Sequence, residues 1–533
     1  MPWRGVGDER SLAHRTMESL PPRRIRTRVA CLVGAACAIA LALGCDGAPQ
    51  DAQAPTSDVA SGVEVAVEAA CSGCHAFAPP EILPRASWRG VVERMAVLGA
   101  DPDPAIGPKV AFDVEAVVGW YEARAPEALP ERRVQSRDGP APLRFRQRAI
   151  LLGPGSGPGV ATVERVPAAV LPERAPALAA PNMAEGGVHL FSLQRGPVRV
   201  GDAGHPVRVV PADLDGDGRP ELVISDLGNP MPSDEPVGRV LVARSTGEAR
   251  FEIEVALAGV GRVADARPID LDRDGDLDLV VGAFGMLRRG GVYVLYNDGA
   301  GRDFRAEKVT DRPGAVSVVP VEDLRPGEGP GFVVAFAQHY ELVSLFLPRP
   351  GGGFAEQVLV RGPHPNWGTS NLEPVDLDRD GDLDFLLSHG DTLDDGIAIK
   401  PYHGVEWLEN RGAEGFATHP IGPLYGAHRA EAADLDGDGD LDVVAAGFLP
   451  QVQLPVPAGA PRLDSILWFE RTDAGWTPWT LEAGHPRHTG LTIVDLDEDG
   501  DPDVVAAINT AWDLAPEGGG PSLEAWFNEG PDR

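Results

Sequence analysis

Short runs of alternating apolar and polar residues fill positions 140–533, and they come in groups of four. In one group VADARPIDL (263–271) leads into an acidic stretch, and LDLVVGAF (277–284), GGVYVLYND (290–298) and FRAEKVT (304–310) follow. Turn residues at roughly ten-residue spacing separate these runs, so the pattern predicts four strands. The same group recurs, with the position that opens the acidic stretch falling at Ala169, Asp213, Asp270, Asp323, Asp376, Asp434 and Asp495. Seven repeats of about 55 residues, each four strands, predict a seven-bladed β-propeller, because such units bury their faces only against each other. The last repeat ends at SLEAWFNEG (522–530), a third strand, and residues 143–151 (LRFRQRAIL) read like the missing fourth. Pairing the two would close the ring and remove two open sheet edges.

The pattern changes upstream. Residues 85–98 place Trp88, Val91, Val92, Met95 and Leu98 on one helical face, and residues 113–125 do the same with Val114, Val117, Val118 and Tyr121 before Pro126. A further short helix is expected over residues 59–70. Closer still to the start, Arg23, Arg24, Arg26 and Arg28 precede an apolar run over residues 29–43 that ends in Gly44-Cys45. A basic patch, a run too short to span a membrane and a small residue before the cut describe a secretory signal. LALGC (41–45) resembles a bacterial lipobox, which implies lipidation of Cys45 and a membrane-anchored lipoprotein facing the periplasm or cell surface. Met17 is an alternative start to Met1, since residues 1–16 look like no part of a signal.

Charge narrows the function. With 47 basic against 80 acidic residues the formal charge is −33, which argues against a nucleic-acid surface. Much of the acid sits in the repeats: five nine-residue windows hold 25 of the 80 carboxylates. Their candidate ligands are Asp213, Asp215, Asp217, Glu221 and, through its backbone carbonyl, Arg219; Asp270, Asp272, Asp274, Asp276 and Asp278; and Asp376, Asp378, Asp380, Asp382 and Asp384. In the remaining two windows they are Asp434, Asp436, Asp438, Asp440 and Asp442, and Asp495, Asp497, Asp499, Asp501 and Asp503. Carboxylates at positions 1, 3, 5 and 9, a backbone carbonyl at 7 and a sharp glycine turn at 6 suit a hard cation, so about five Ca²⁺ are expected. Strands follow each loop where an EF-hand would have a helix. The copies at Asp323 and Ala169 have lost their ligands and are expected to be empty, with Arg325 offering a fixed positive charge.

Of five cysteines, Cys31 and Cys37 fall in the signal and Cys45 takes the lipid, so no disulfide framework is expected. Cys71 and Cys74 belong to CSGCH, in which two thiols can bond the haem vinyl groups and His75 can ligate iron. No second CxxC favours zinc, and no βαβ context favours a redox dithiol. Haem c is therefore the expected cofactor. Its sixth ligand is open between Met95, Lys109 and none, the choices among residues 76–130.

Three helices around CxxCH resemble a small class I cytochrome c domain. The acidic repeats resemble the FG-GAP/VCBS repeats of integrin α-chain propellers and their bacterial relatives. Together the chain is similar to bacterial exported proteins that fuse one cytochrome c domain to such a propeller, which implies a redox role without naming a substrate. The expected layout is a signal over 1–44, a tether over 45–57, a haem domain over 58–130, a linker over 131–139 and the propeller over 140–533.

In the integrin-like arrangement the metal loops share one rim and the longer, uneven loops share the other. His339, Tyr340, Trp367, His389, Asp391, His403, His428 and His488 are expected at the second rim. His389, Asp391, His403 and His428 are candidates for a site that holds a polar substrate, a glycan or a transition metal. Two functions follow as expectations. One is electron transfer to or from a substrate or redox partner held by the propeller; the other is a surface binding or adhesion module with an accessory haem. No hydrolase arrangement is evident.

Overall fold

The alternating runs become antiparallel strands, and a computed structural model sorts them into seven four-stranded sheets. It describes residues 64, 67–69, 71–72, 75–100, 110–132, 141–153, 156–167, 169–171, 176–247, 250–393, 399–450, 454, 463–510 and 520–531. Residues 1–63 lie outside these, and with them the signal and Cys45. Cys74, Lys109 and nearly all of the expected linker also lie outside the described residues.

In chain order the blades cover residues 164–202, 206–260, 263–310, 315–361, 369–423, 427–484 and 491–531. The seventh is completed by Leu143–Ile150, which pairs antiparallel with Leu523–Pro531, Arg146 facing Phe527 and Arg148 facing Ala525. The expected propeller and its closing strand are thus both present. Between each pair of neighbouring blades lies one apolar cluster, from Val166, Leu190, Val209 and Leu241 between the first two to Leu178, Phe191, Val505 and Phe527 between the last and the first. Each second strand is buried on both faces, which is why it reads as a continuous apolar run rather than an alternation.

Upstream, helix α1 spans Trp88–Ala100 and helix α2 spans Val114–Arg124. A 3₁₀ turn at Arg85–Ser87 precedes α1, and Asp113 caps α2 by accepting the Ala116 N–H at 3.2 Å. Trp88 stacks on Tyr121 at 3.8 Å, and both are buried with Val92, Val117 and Val118. Arg89 on α1 pairs with Glu115 on α2 at 2.9 Å. Of the expected first helix, Glu64, Val67, Glu68 and Ala69 are helical among the described residues, as is Cys71 just beyond it. None of the described helices is long and apolar enough to cross a membrane.

The helices rest on the propeller rim away from the acidic loops. Tyr402, between the second and third strands of blade 5, packs on the helical core and donates from its hydroxyl to the Ile82 carbonyl at 3.3 Å. Tyr425, in the connection between blades 5 and 6, accepts the Arg132 N–H at 2.6 Å.

Candidate functional site

Each acidic loop joins a first strand to a second, so all five lie on one rim. Position 4 is left-handed in every one, with Gly216 and Gly437 in two loops and Arg273, Arg379 and Glu498 in the others. Gly218, Gly275, Gly381, Gly439 and Gly500 at position 6 are left-handed as well, and each donates its N–H to one oxygen of the first aspartate at 3.0–3.2 Å. In four loops the other oxygen, Oδ1 of Asp213, Asp270, Asp376 and Asp434, is buried without a hydrogen-bond partner. A buried, unpaired carboxylate oxygen facing further carboxylates is costly on its own and fits a cation. Carboxylates come within reach of one ion at Asp213–Asp215–Glu221, Asp270–Asp272–Asp274, Asp376–Asp378–Asp384 and Asp434–Asp436–Asp438.

Position 9 has a second task. Glu221, Asp278, Asp384, Asp442 and Asp503 each accept the backbone N–H of position 2, and the four aspartates also hold the end of the third strand through Asn297, Asn410, Arg471 and Asn528. The degenerate loop differs. Asp323 accepts three backbone N–H groups, from Gly327, Glu328 and Gly329, at 2.9–3.2 Å, and Arg325 pairs with Glu328. Its carboxylate is tied to the backbone at both oxygens.

At the opposite rim a cavity with about 1340 Å³ of empty space, open to solvent at its mouth, separates the helices from blades 3–5. Cys71 and His75 line it with Trp88, Val91, Val92, Met95 and Leu98 of α1, and Val117 and Tyr121 of α2. The propeller contributes Met286 and Leu287, Gln338 and His339, and Pro365 and Asn366. The His75 Nδ1 donates to the Ala76 carbonyl at 2.7 Å, since a carbonyl can only accept, which leaves Nε2 as a lone-pair donor. Burial raises the Cys71 thiol pKa and lowers that of His75. His339 is lowered to about 4, by burial and then by His75.

Beside it, an axial pocket with about 1110 Å³ of empty space draws residues from all seven blades. Arg208 and Arg429 belong to its floor, and Asn371, Asp391, His428 and Gln338 to its walls. Below the floor Arg208 bridges Glu164 and Asp265, Arg267 pairs with Asp265, and Arg429 bridges Glu164, Glu373 and Glu431. Gln338 lines both spaces, is buried, and its Oε1 has no hydrogen-bond partner.

The four candidate rim residues divide between two places. Asp391 and His428 line the axial pocket, and the His428 Nδ1 donates to the Thr489 carbonyl at 2.7 Å. His389 and His403 instead belong to an aromatic cluster under the helices. His389 stacks on Trp367 at 3.9 Å, and His403 meets Tyr402 edge-on. Burial, with His364 nearby, lowers His389 to about 3, and burial plus Lys400 takes His403 well down. His488 is a buried bridge, its Nδ1 donating to the Ala507 carbonyl at 3.0 Å and its Nε2 lying 3.2 Å from the Glu482 carboxylate. Sequence reasoning missed Gln338 and the ionic floor. Charged residues inside first strands, such as Arg208, Asp265 and Arg429, were the signal for the latter.

A closed ring of seven four-stranded blades with stereotyped acidic turns makes the molecule a seven-bladed β-propeller. The FG-GAP-like repeat family matches residues 389–445, from the end of one second strand through the next acidic loop. No curated protein matches the chain. Among solved structures, the crystal structure of BBS1N in complex with ARL6DN, soaked with mercury, is similar over 72% of this chain and 96% of that chain. The identity is 10% and the TM-score 0.39.

Proposed function

We propose that the protein is an exported c-type haem protein that transfers electrons, with a calcium-stabilised propeller that binds the substrate or redox partner. The observation that carries this reading is the shared wall: Gln338 lines both the cavity of Cys71 and His75 and the axial pocket. A molecule held in the axial pocket would sit one side chain away from a haem in the cavity.

The residues present fit that group. Cys71 offers a thiol at the cavity wall, Cys74 completes the attachment motif by its spacing, and His75 turns a free Nε2 outward from its bonded Nδ1. When bound, the haem supplies one-electron transfer. The chain's own work is to exclude water with Trp88, Val92, Leu98 and Tyr121, and to orient a ligand with the polar set of the axial pocket. Asp391, His428 and Asn371 provide acceptors and donors there, and the fixed guanidiniums of Arg208 and Arg429 favour polar, hydrogen-bonding ligands.

The test is a preparation matured in a periplasm that attaches haem covalently. After denaturation it should give a pyridine haemochrome spectrum, and Cys71→Ala with Cys74→Ala should abolish it. A chain purified without haem would refute the reading. A second reading, a binding or adhesion module with an accessory haem, is favoured by the FG-GAP match. It predicts ligand affinity that is indifferent to the oxidation state of the haem, whereas electron transfer predicts haem reduction or oxidation by the bound ligand, lost in His428→Ala.

A further inference from the structure

We infer that His339, carried by the propeller, is the sixth ligand of the haem iron, facing His75 across it. The inference rests on the haem reading above and concerns which side chain completes it.

Three observations lead there. First, His339 lines the cavity that holds Cys71 and His75, although more than 260 residues of chain lie between them. Second, the His339 Nε2 is shut off from solvent and has no hydrogen-bond partner. A buried imidazole nitrogen without a partner is costly, and a metal ion would satisfy it. Third, the rings of His75 and His339 are 6.4 Å apart between centroids and tilted by 55°. Two imidazoles sharing one metal, each about 2 Å from it through nitrogen, have centroids roughly 6 Å apart.

The backbone around His339 is built to hold it. Gln338 and Glu341, on either side, both take left-handed conformations that side chains other than glycine rarely adopt. The turn is pinned at one end by the Ala337 N–H on the Gly314 carbonyl, and at the other by the Thr369 N–H on the Glu341 carboxylate. The rival in the cavity is Met95. It stands on the apolar face of α1 with Trp88, Val91, Val92 and Leu98, where helical spacing already accounts for it as wall. With His339 as ligand the iron would tie the helices to the propeller, and its potential would lie below that of a Met-ligated haem.

The experiment uses the full chain with haem attached, as wild type, His339→Ala, His339→Met and Met95→Leu. Covalent haem, melting temperature, ferric electron paramagnetic resonance and reduction potential are measured on each. We expect low-spin iron without a sulfur-to-iron charge-transfer band in wild type and Met95→Leu. His339→Ala should turn high-spin and return to low-spin on adding imidazole, while His339→Met should gain the sulfur band and a higher potential. A low-spin His339→Ala with an unaltered potential would overturn the inference, as would a high-spin Met95→Leu. Because His339→Met keeps a side chain able to ligate iron, it separates a lost ligand from a lost fold. Absence of covalent haem from wild type would overturn the haem reading as well, so the two failures are distinguishable.

Discussion

The two rims of this propeller are made by the same strands and could hardly differ more. One carries a nine-residue turn repeated five times, with glycine at position 6 and carboxylates at fixed places. The other carries seven unlike sets of loops, which hold a cavity, an axial pocket and two docked helices. Repetition marks the scaffold, because every blade must solve the same problem of turning a chain against its neighbour. Chemistry gathers where the repeat breaks, since a loop free of blade packing can vary without opening the ring.

The largest expected effect tests the first rim. Ions bound only by the folded state stabilise it by RT ln(1 + [L]/Kd) each, so chelation should lower unfolding stability by several kcal/mol in total. Thermal melts with and without EGTA check this, and a melt indifferent to chelator with no metal in the purified protein would remove the calcium sites. Next, Arg429→Leu strikes the second rim by stranding Glu164, Glu373 and Glu431 in the ionic floor. Losing one member of a buried network costs about 3–5 kcal/mol, measurable by urea unfolding, while the calcium content should stay at the wild-type value.

Acid should separate the rims further. Burial and then the Lys400 charge lower the His364 pKa to about 4, against an ordinary value of 6.5. Between those values the unfolded chain binds the proton and the folded chain does not. This contribution to stability is therefore full above pH 6.5 and lost as pH falls to 4, on the order of 3 kcal/mol. Unfolding curves across that range should be flatter in His364→Phe. The smallest effect sharpens the comparison within the first rim. Asp376→Ala should release one calcium per chain, read by metal analysis, whereas Asp323→Ala should leave the metal content unchanged and lower only the melting temperature, through three lost backbone hydrogen bonds.

The sequence made the ring legible because its evidence is local. An acidic turn, a buried second strand and a spacing near 55 residues are all read within one repeat, and even the closing strand at Leu143–Ile150 resembles its fellow fourth strands. The helices were legible for the same reason, through the faces of Trp88–Leu98 and Val114–Tyr121. The second rim was less so. His389 ends a strand and stacks on Trp367, while Asp391, two residues on, turns to the axis. Gly390 between them packs where an added Cβ would come within 2.1 Å of the Ala427 nitrogen. Spacing along the chain does not distinguish those fates. Nor could any local pattern set residue 339 beside residue 75, because that neighbourhood exists only once the helices have docked.

The seam between Leu143–Ile150 and Leu523–Pro531 also sets a timetable. A ribosome delivers the first of these strands long before the second, so six blades can stack while the ring still gapes. During that interval an early strand waits with its backbone unsatisfied, the condition in which neighbouring chains exchange strands. Ring closure must also bring together points separated by most of the chain, a slow step with a steep entropic threshold. The last seam to form would then be the first place to look for swapped dimers when synthesis outruns folding.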